Sequence, residues 1–186
     1  MKNENIRRIT RIALLTAVIS ALSQLAVPAP SGVPFTLQTF AVALAGFLLG
    51  AEDGFLAALC YVLLGAVGAP VYAQFRGGPQ MLVGMTGGFL LGFLPMAALC
   101  GAGARMARKT AGGWKAALAA AGCGMFGVLA CHIPGVAQFS LVTKTSVPTS
   151  FTLVSLPYLL KDALSVFAAY LLSVPVVRRV PGLGGR

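Results

Sequence analysis

Long apolar runs separated by short polar segments dominate this chain. Residues 12–51, 54–75, 77–104 and 116–143 contain no Asp, Glu, Lys or Arg, and a helix needs about 20 residues to cross the bilayer core. Residues 28–34, PAPSGVP, divide the first run, because Pro and Gly interrupt helices. We predict an all-α integral membrane protein, one membrane domain over residues 1–186, with six transmembrane helices. These cover roughly residues 9–27, 36–51, 54–70, 84–104, 115–136 and 153–177.

Composition supports this class. Hydrophobic residues make up 58% of the chain and charged residues 10%, whereas a soluble domain carries about 25% charged residues. The net charge is +10, but the basic residues cluster between apolar runs rather than on one polar face, so we expect no nucleic-acid binding. The sequence has no phosphate-binding GxxxxGK[ST] loop, no nucleophile–base arrangement and no metal-ligand spacing. We therefore expect no enzymatic activity, no metal and no cofactor.

The basic residues also predict orientation. Six spans place both termini on one side of the membrane. That side would collect eleven Lys and Arg residues: Lys2, Arg7, Arg8, Arg11, Arg105, Arg108, Lys109, Lys115, Arg178, Arg179 and Arg186. The other side would hold Arg76 and Lys144. The positive-inside rule then places both termini in the cytoplasm. No A-x-A site follows the first apolar run, so we expect that helix to be retained.

One charged pair interrupts the last apolar run. Lys161 and Asp162 lie inside LVSLPYLLKDALSVFAAYLL, where a charge is costly unless it faces a partner, a cavity or a ligand. Tyr158, Asp162 and Ser165 share one helix face by their i, i+4 and i+7 spacing. Lys161 is rotated by about 100° from Asp162 and has the length to reach the outer surface. We predict a polar binding site here, while His132, near the outer end of the fifth helix, is expected to pack or hydrogen-bond.

Two outer loops carry further candidates for ligand contact. The first, PAPSGVPFTLQTF, ends in Thr36 and Gln38 where the second helix should begin, and Thr36 is also suited to cap that helix. The second, GAPVYAQFRGGPQ, contributes Tyr72, Gln74 and Arg76 beside several glycines, which allow a backbone to approach a ligand closely.

Small residues predict packing surfaces. Ala13, Ala17 and Ala21 recur every four residues on the first helix, which forms a smooth strip that another backbone can approach. Internal packing and partner docking both fit this spacing. The sequence GFLLG occurs at 46–50 and at 88–92, and we interpret both copies as packing surfaces between helices.

Three segments together resemble one family. VPFTLQTFAVALAGFLLG, YVLLGAVGAPVYAQFRGG and GMTGGFLLGFLPMA are similar to the BioY family of biotin-binding S components of energy-coupling factor (ECF) transporters. The resemblance runs from about residue 8 to 177. It implies a multi-pass protein of a prokaryotic plasma membrane, with six helices and an outward-facing biotin pocket. It also implies partners, namely a transmembrane scaffold subunit and two ATPase subunits that would use ATP. Ala13, Ala17 and Ala21 match the surface at which such S components meet the scaffold.

The chain departs from the family pattern in two places. The usual TGGY is TGGF here, ending at Phe89. The Lys that follows the last-helix Asp by three residues is Ser165. Lys161, Arg76 and Lys144 remain as alternative cations for the carboxylate of biotin. A carboxylate such as Asp162 can accept from the ureido N–H groups, and Gln or Thr can donate to the ureido carbonyl.

Two other functions fit the same composition. One is a solitary vitamin transporter driven by an ion gradient, and the other is a structural membrane protein without a ligand. Co-purification with two ATPase subunits separates our interpretation from the first, and retention of biotin separates it from the second. The sequence leaves open whether the isolated chain forms a homo-oligomer.

Overall fold

The computed structural model describes residues 2–110, 113–180 and 183, and it is mostly helical, as predicted. Eight α-helices occur in these residues: α1 (Lys2–Ser23), α2 (Gln38–Leu49), α3 (Ala51–Ala66), α4 (Gln80–Val83), α5 (Gly87–Lys109), α6 (Gly113–Thr143), α7 (Val147–Val154) and α8 (Leu156–Arg179). A short antiparallel hairpin of β1 (Ala26–Val27) and β2 (Phe35–Thr36) pairs Ala26 with Thr36. Within the described part of the chain, α5, α6 and α8 are long and apolar enough to cross a membrane.

Helix α2 forms the centre of the bundle. Every residue of this helix except Phe40 is buried, and its neighbours are α1, α3, α5 and α8. Glycine allows these contacts, because a Cβ placed on Gly46 would lie 2.3 Å from the carbonyl oxygen of Ala97 in α5. A Cβ on Gly54 in α3 would lie 2.7 Å from the Cα of Gly46. The three helices therefore pack backbone to backbone.

Helices α5 and α6 form the most extensive helix pair. A Cβ on Gly88 would lie 2.1 Å from the carbonyl oxygen of Pro134, and one on Gly92 would lie 2.5 Å from the Cα of Cys131. Both GFLLG segments thus use a glycine to bring helices together, which confirms their interpretation as packing surfaces. Gly88 and Gly92 lie in the N-terminal half of α5, so this contact also positions Phe89, which lies between them in sequence.

Three boundaries differ from the predicted ones. Helix α1 ends at Ser23 rather than near residue 27, because Ala26–Val27 pairs with β2. Helix α6 continues through Pro134 to Thr143 rather than ending near residue 136, since neighbouring helices in membrane proteins compensate for the amide that proline lacks. The segment before α8 is a separate helix, α7, capped by the Ser146 hydroxyl, which accepts a hydrogen bond from the Thr149 amide.

An ion-pair cluster joins α1 to the turn between α2 and α3. The guanidinium of Arg8 donates to Asp53 Oδ1 over 2.7 Å and also to Glu52. The hydrogen bond with Asp53, followed by that with Glu52, raises the pKa of Arg8 above its ordinary value. The first helix therefore begins at the same end of the bundle as the α2–α3 turn. Arg186 lies outside the described residues.

Candidate functional site

Asp162 is held by side chains from three parts of the fold. Its side chain is buried in α8, with 5% of the residue surface exposed. His132 Nε2 in α6 donates to Asp162 Oδ2 over 2.9 Å, and Lys161 Nζ lies 2.5 Å from Oδ1. The Thr39 side chain in α2 also hydrogen-bonds the carboxylate. Because a carboxylate offers about four lone-pair sites, Asp162 keeps the capacity to accept a further hydrogen bond.

The orientation of His132 is fixed from its other side. Its Nδ1 lies 2.8 Å from the Ser155 hydroxyl, at the junction of α7 and α8. With the proton on Nε2 toward Asp162, Nδ1 of a neutral imidazole accepts from Ser155. Phe89 packs edge-on against the imidazole with ring centroids 5.6 Å apart. Ser155 has no exposed surface, so this Ser–His–Asp chain has no access to a substrate and serves to position the carboxylate.

Lys161 extends from α8 to the hairpin. Its ammonium donates to the backbone carbonyl of Thr36 over 2.9 Å while it pairs with Asp162. The ammonium therefore contacts β2. The side chain keeps 28% exposure, so Lys161 reaches the edge of the bundle while Asp162 stays buried.

Tyr158 makes a second connection between α8 and the segment before α2. Its hydroxyl donates to the carbonyl of Val33 and lies 3.3 Å from the Ser31 hydroxyl. The Tyr158 ring stacks on Phe35 with centroids 4.2 Å apart. Together, Tyr158 and Lys161 fasten the segment before α2 to α8.

A cavity of about 60 Å³ lies on the side of the segment before α2 that faces away from Lys161. It lies between the start of α2, the 72–76 loop, α4 and the N-terminal end of α5. Its lining is Val33, Pro34, Gln38, Tyr72, Ala73, Gln74, Arg76, Met81, Thr86, Phe89, Leu90 and Phe93. Mixed apolar walls with a few polar groups are typical of small-molecule sites.

Gln38 is the most constrained polar group of the cavity. Its Nε2 donates to the Tyr61 hydroxyl over 2.5 Å, and its Oε1 accepts from the Thr36 hydroxyl over 2.9 Å. Since an amide nitrogen carries two hydrogens, one remains for a ligand. Thr36 lies in β2, one residue before the N-cap position Leu37, and its hydroxyl accepts from the Gln38 backbone amide at the first residue of α2 over 3.3 Å, in partial agreement with the predicted capping role. Thr36 also supports the Gln38 side-chain amide.

The 72–76 loop has a constrained backbone. Gln74 and Phe75 adopt left-handed backbone conformations with φ of 60° and 57°, which residues other than Gly and Asn rarely adopt. Gln24 at the end of α1 stabilises this shape, because its Oε1 accepts from the Phe75 amide over 2.8 Å and its Nε2 donates to the Val71 carbonyl over 3.1 Å. Strained backbone of this kind often marks a ligand site.

Tyr72 forms part of the cavity wall. Its hydroxyl donates to the Val62 carbonyl over 2.6 Å, and burial raises the pKa of Tyr72 to about 12. The Tyr72 hydroxyl is thus already hydrogen-bonded within the protein, and the ring contributes to the cavity wall. Gln74 and Arg76, two and four residues later, also line it.

The predicted site residues thus fall into two groups. Gln38, Tyr72, Gln74 and Arg76 lie together at the cavity. Tyr158, Lys161, Asp162 and Ser165 lie together on α8, outside its lining. Thr36 lies between the two groups.

The predicted strip on α1 is accessible. Ala13, Ala17 and Ala21 are all exposed, whereas Leu15 and Ile19 on the opposite face are buried. Thr16 fixes the buried face, since its hydroxyl donates to the Ala57 carbonyl of α3 over 3.1 Å. The strip is therefore not internal packing within this chain.

Sequence reasoning missed several contributors. The hydrogen bonds of His132 confirm its predicted hydrogen-bonding role, whereas Ser155, Gln24 and Tyr61 were not predicted. Each of these three acts through a partner more than 20 residues away. A buried polar residue in an apolar span was the only available signal.

Comparison with known proteins gives a consistent result. The BioY family model matches residues 1–182. A biotin transporter of Thermotoga maritima is 41% identical over 127 residues, which cover 68% of this chain and 73% of that protein. A biotin transporter of Rhodobacter capsulatus is 41% identical over 138 residues, covering 73% and 70%. A biotin transporter of Lactococcus lactis is 48% identical over 99 residues, covering 53% and 54%.

A solved structure shares the fold. The crystal structure of the biotin S-component of an ECF-type ABC transporter superposes with a TM-score of 0.82. It covers 97% of this chain and 95% of its own, at 23% sequence identity. At this identity the likeness shows the fold.

Proposed function

The chain belongs to the BioY family, and from this premise we propose that it binds biotin and serves in biotin uptake as the substrate-binding membrane subunit of an ECF-type transporter. The observation that carries the proposal is the 41% identity with the Thermotoga maritima biotin transporter over 127 residues. The family consists of transporters rather than enzymes, in agreement with the expectation that the chain catalyses no reaction.

The chemistry of biotin matches the groups at the cavity. Its ureido ring offers two N–H donors and a carbonyl acceptor, its thiophane ring and valerate chain are apolar, and its carboxylate is anionic. Phe89, Leu90 and Phe93 supply apolar walls, Gln38 supplies an amide hydrogen and Arg76 a positive charge. We assign the ureido N–H groups to the buried carboxylate of Asp162, which has a lone-pair site beyond those that His132, Lys161 and Thr39 use.

Binding in this manner requires a movement. Asp162 lies behind Phe89 and His132, outside the lining of the cavity, and about 60 Å³ is less than the 300–1,000 Å³ of typical ligand sites. The segment before α2 is attached to α8 only through Tyr158, Phe35 and Lys161 in the contacts described above. Its displacement would release Lys161 from the Thr36 carbonyl and uncover the Asp162 side of α8, so we assign it the role of a movable wall.

For the membrane arrangement we propose six spans with both termini in the cytoplasm. The six spans are helices α1, α2, α3, α5, α6 and α8. Two of them are short, since α2 has 12 residues and α3 has 16. The Arg8 cluster supports this topology, because it brings the start of α1 to the α2–α3 turn. Arg108 and Lys109 end α5, and Arg178 and Arg179 end α8. We place the protein in a prokaryotic plasma membrane.

We further propose a scaffold transmembrane subunit and two ATPase subunits as partners. The structural relative is a component of an ECF-type ABC transporter, which by its name works with other subunits. The exposed strip of Ala13, Ala17 and Ala21 is our candidate for the scaffold contact, since small side chains permit close helix approach.

An equilibrium titration tests the central proposal. The purified full chain in detergent is titrated with biotin, and with thiamine as a vitamin of unrelated shape. We expect saturable binding of one biotin per chain and no saturable binding of thiamine. Absence of saturable biotin binding by a folded, monodisperse preparation would refute the proposed function. Co-purification of the partner subunits with the tagged chain tests the assembly separately.

A further inference from the structure

We propose that Arg76 is the residue that binds the carboxylate of the ligand, and that Lys161 is a positioning residue for the segment before α2. This inference rests on the proposed function, because it assumes that the ligand is biotin. It addresses how the ligand carboxylate is bound in a chain that has Ser165, rather than a cation, on the Asp162 face of α8.

Lys161 is already committed to the protein. Its ammonium donates to the Thr36 carbonyl over 2.9 Å and lies 2.5 Å from Asp162 Oδ1. Asp162 neutralises it, so a second carboxylate brought to the same ammonium would also meet the charge of Asp162. Like charges at such distances repel, which makes Lys161 a poor anchor for an anionic ligand.

Lys161 also faces a different space. It lines an open groove of about 530 Å³ at the edge of the bundle, together with Gln24, Leu25, Ala26, Val27, Phe35, Thr36 and Leu37. This groove shares no lining residue with the cavity described above. Residues 33, 34 and 38 line the cavity, whereas residues 35, 36 and 37 line the groove. The segment before α2 is therefore a partition, and Lys161 fastens it from the groove side.

Arg76 has the opposite properties. It lines the cavity and forms no ion pair with a described carboxylate. Its backbone is fixed, because the Tyr72 amide donates to the Arg76 carbonyl over 3.0 Å across the left-handed residues Gln74 and Phe75. A planar guanidinium can donate two parallel hydrogen bonds to a carboxylate. Arg76 is thus a cation with a fixed backbone at the mouth of the cavity, and it pairs with no carboxylate in the described part of the chain.

Lys144 does not compete for this role. Lys144 is exposed, follows α6 with a left-handed backbone conformation, and lines neither the cavity nor the groove. The assignment also fixes the direction of the ligand. The carboxylate lies outward at the 72–76 loop, the valerate chain runs along Phe89 and Phe93, and the ureido ring lies inward toward Asp162.

The test compares biotin with biotinamide, which has the same ring and chain but no charge. Dissociation constants of both ligands are measured for the full-length wild type, Arg76→Gln, Arg76→Lys and the matched control Lys161→Gln. We expect the wild type to prefer biotin about ten- to hundredfold, the usual range for charge-assisted hydrogen bonds. Arg76→Gln should abolish this preference by weakening biotin alone, and Arg76→Lys should retain part of it. Lys161→Gln should change both affinities by the same factor.

Several results would overturn the inference. They are equal binding of biotin and biotinamide by the wild type, an unchanged preference in Arg76→Gln, or a preference lost in Lys161→Gln. A wild type that binds neither ligand would instead refute the proposed function, and the inference with it. Arg76 is exposed and Gln keeps a similar chain length, so a matching thermal unfolding curve confirms that Arg76→Gln is folded.

Discussion

His132 Nε2 donates to Asp162 Oδ2 over 2.9 Å and so ties α6 to α8 inside the apolar bundle. The two side chains are separated by 30 residues in sequence, and each is about 5% exposed. A buried carboxylate is costly to maintain without hydrogen-bond donors. The imidazole is therefore a structural requirement of the charge at position 162.

The first prediction concerns this contact. His132→Leu removes a donor from a buried carboxylate, which should lower the free energy of unfolding by about 1–3 kcal/mol. His132→Gln keeps an N–H donor and should lose less. Thermal unfolding in detergent measures both variants. A double-mutant cycle with Asp162→Asn should show coupling between the two positions, and a His132→Leu protein as stable as the wild type would contradict the assignment.

The second prediction concerns Asp162 as the ligand acceptor. Asp162→Ala leaves a ureido donor unpaired in a dry site, which should weaken biotin binding about ten- to hundredfold. Biotin titration measures the change. Ser173→Ala, which removes a buried hydroxyl near the other end of α8, is the control and should bind like the wild type. Unchanged biotin affinity in a folded Asp162→Ala protein would refute the proposed ureido contact.

Sequence patterns predicted the helical class and the approximate centres of the long helices, because both follow from local hydropathy. They also placed Tyr158, Asp162 and Ser165 on one buried face, as i, i+4 and i+7 spacing requires. The exposure of the α1 strip remained open, since spacing alone does not distinguish internal packing from a free surface. The ends of α1 and α6 were wrong because they depend on β2 and on packing around Pro134.

The partners of Lys161 and Asp162 lay beyond sequence reasoning. Lys161 lies next to Asp162 in sequence, yet its second partner is a backbone carbonyl 125 residues away. Every residue type has a backbone carbonyl, so the sequence does not indicate which carbonyl accepts a hydrogen bond from a side chain. Likewise, the division between cavity and groove arises from the path of residues 33–38, which no periodicity reveals. Arg76 and Lys161 therefore looked equivalent in sequence and differ in the structure.

The third prediction concerns topology. In a background without the four native cysteines, Lys144→Cys should react with a membrane-impermeant thiol reagent in intact cells. The matched variant Lys109→Cys, at the end of α5, should react only after permeabilisation. An epitope tag after Arg186 should be equally protected. Labelling of the tag or of position 109 from outside would contradict the six-span arrangement with cytoplasmic termini.

The last prediction concerns the Ala13, Ala17 and Ala21 strip. Ala17→Trp places a bulky ring on a face where a scaffold helix must approach closely, so it should prevent co-purification of the scaffold subunit. Biotin binding by the isolated chain should persist, because Ala17 is exposed and far in sequence from every cavity residue. Leu141→Trp is the control, since Leu141 is 79% exposed but lies on α6, away from the strip, and it should assemble normally. If Ala17→Trp assembled as well as Leu141→Trp, the strip would not be the docking surface. If both variants failed, an exposed Trp would prevent assembly wherever it is placed, and the close approach at the alanines would lose its special role.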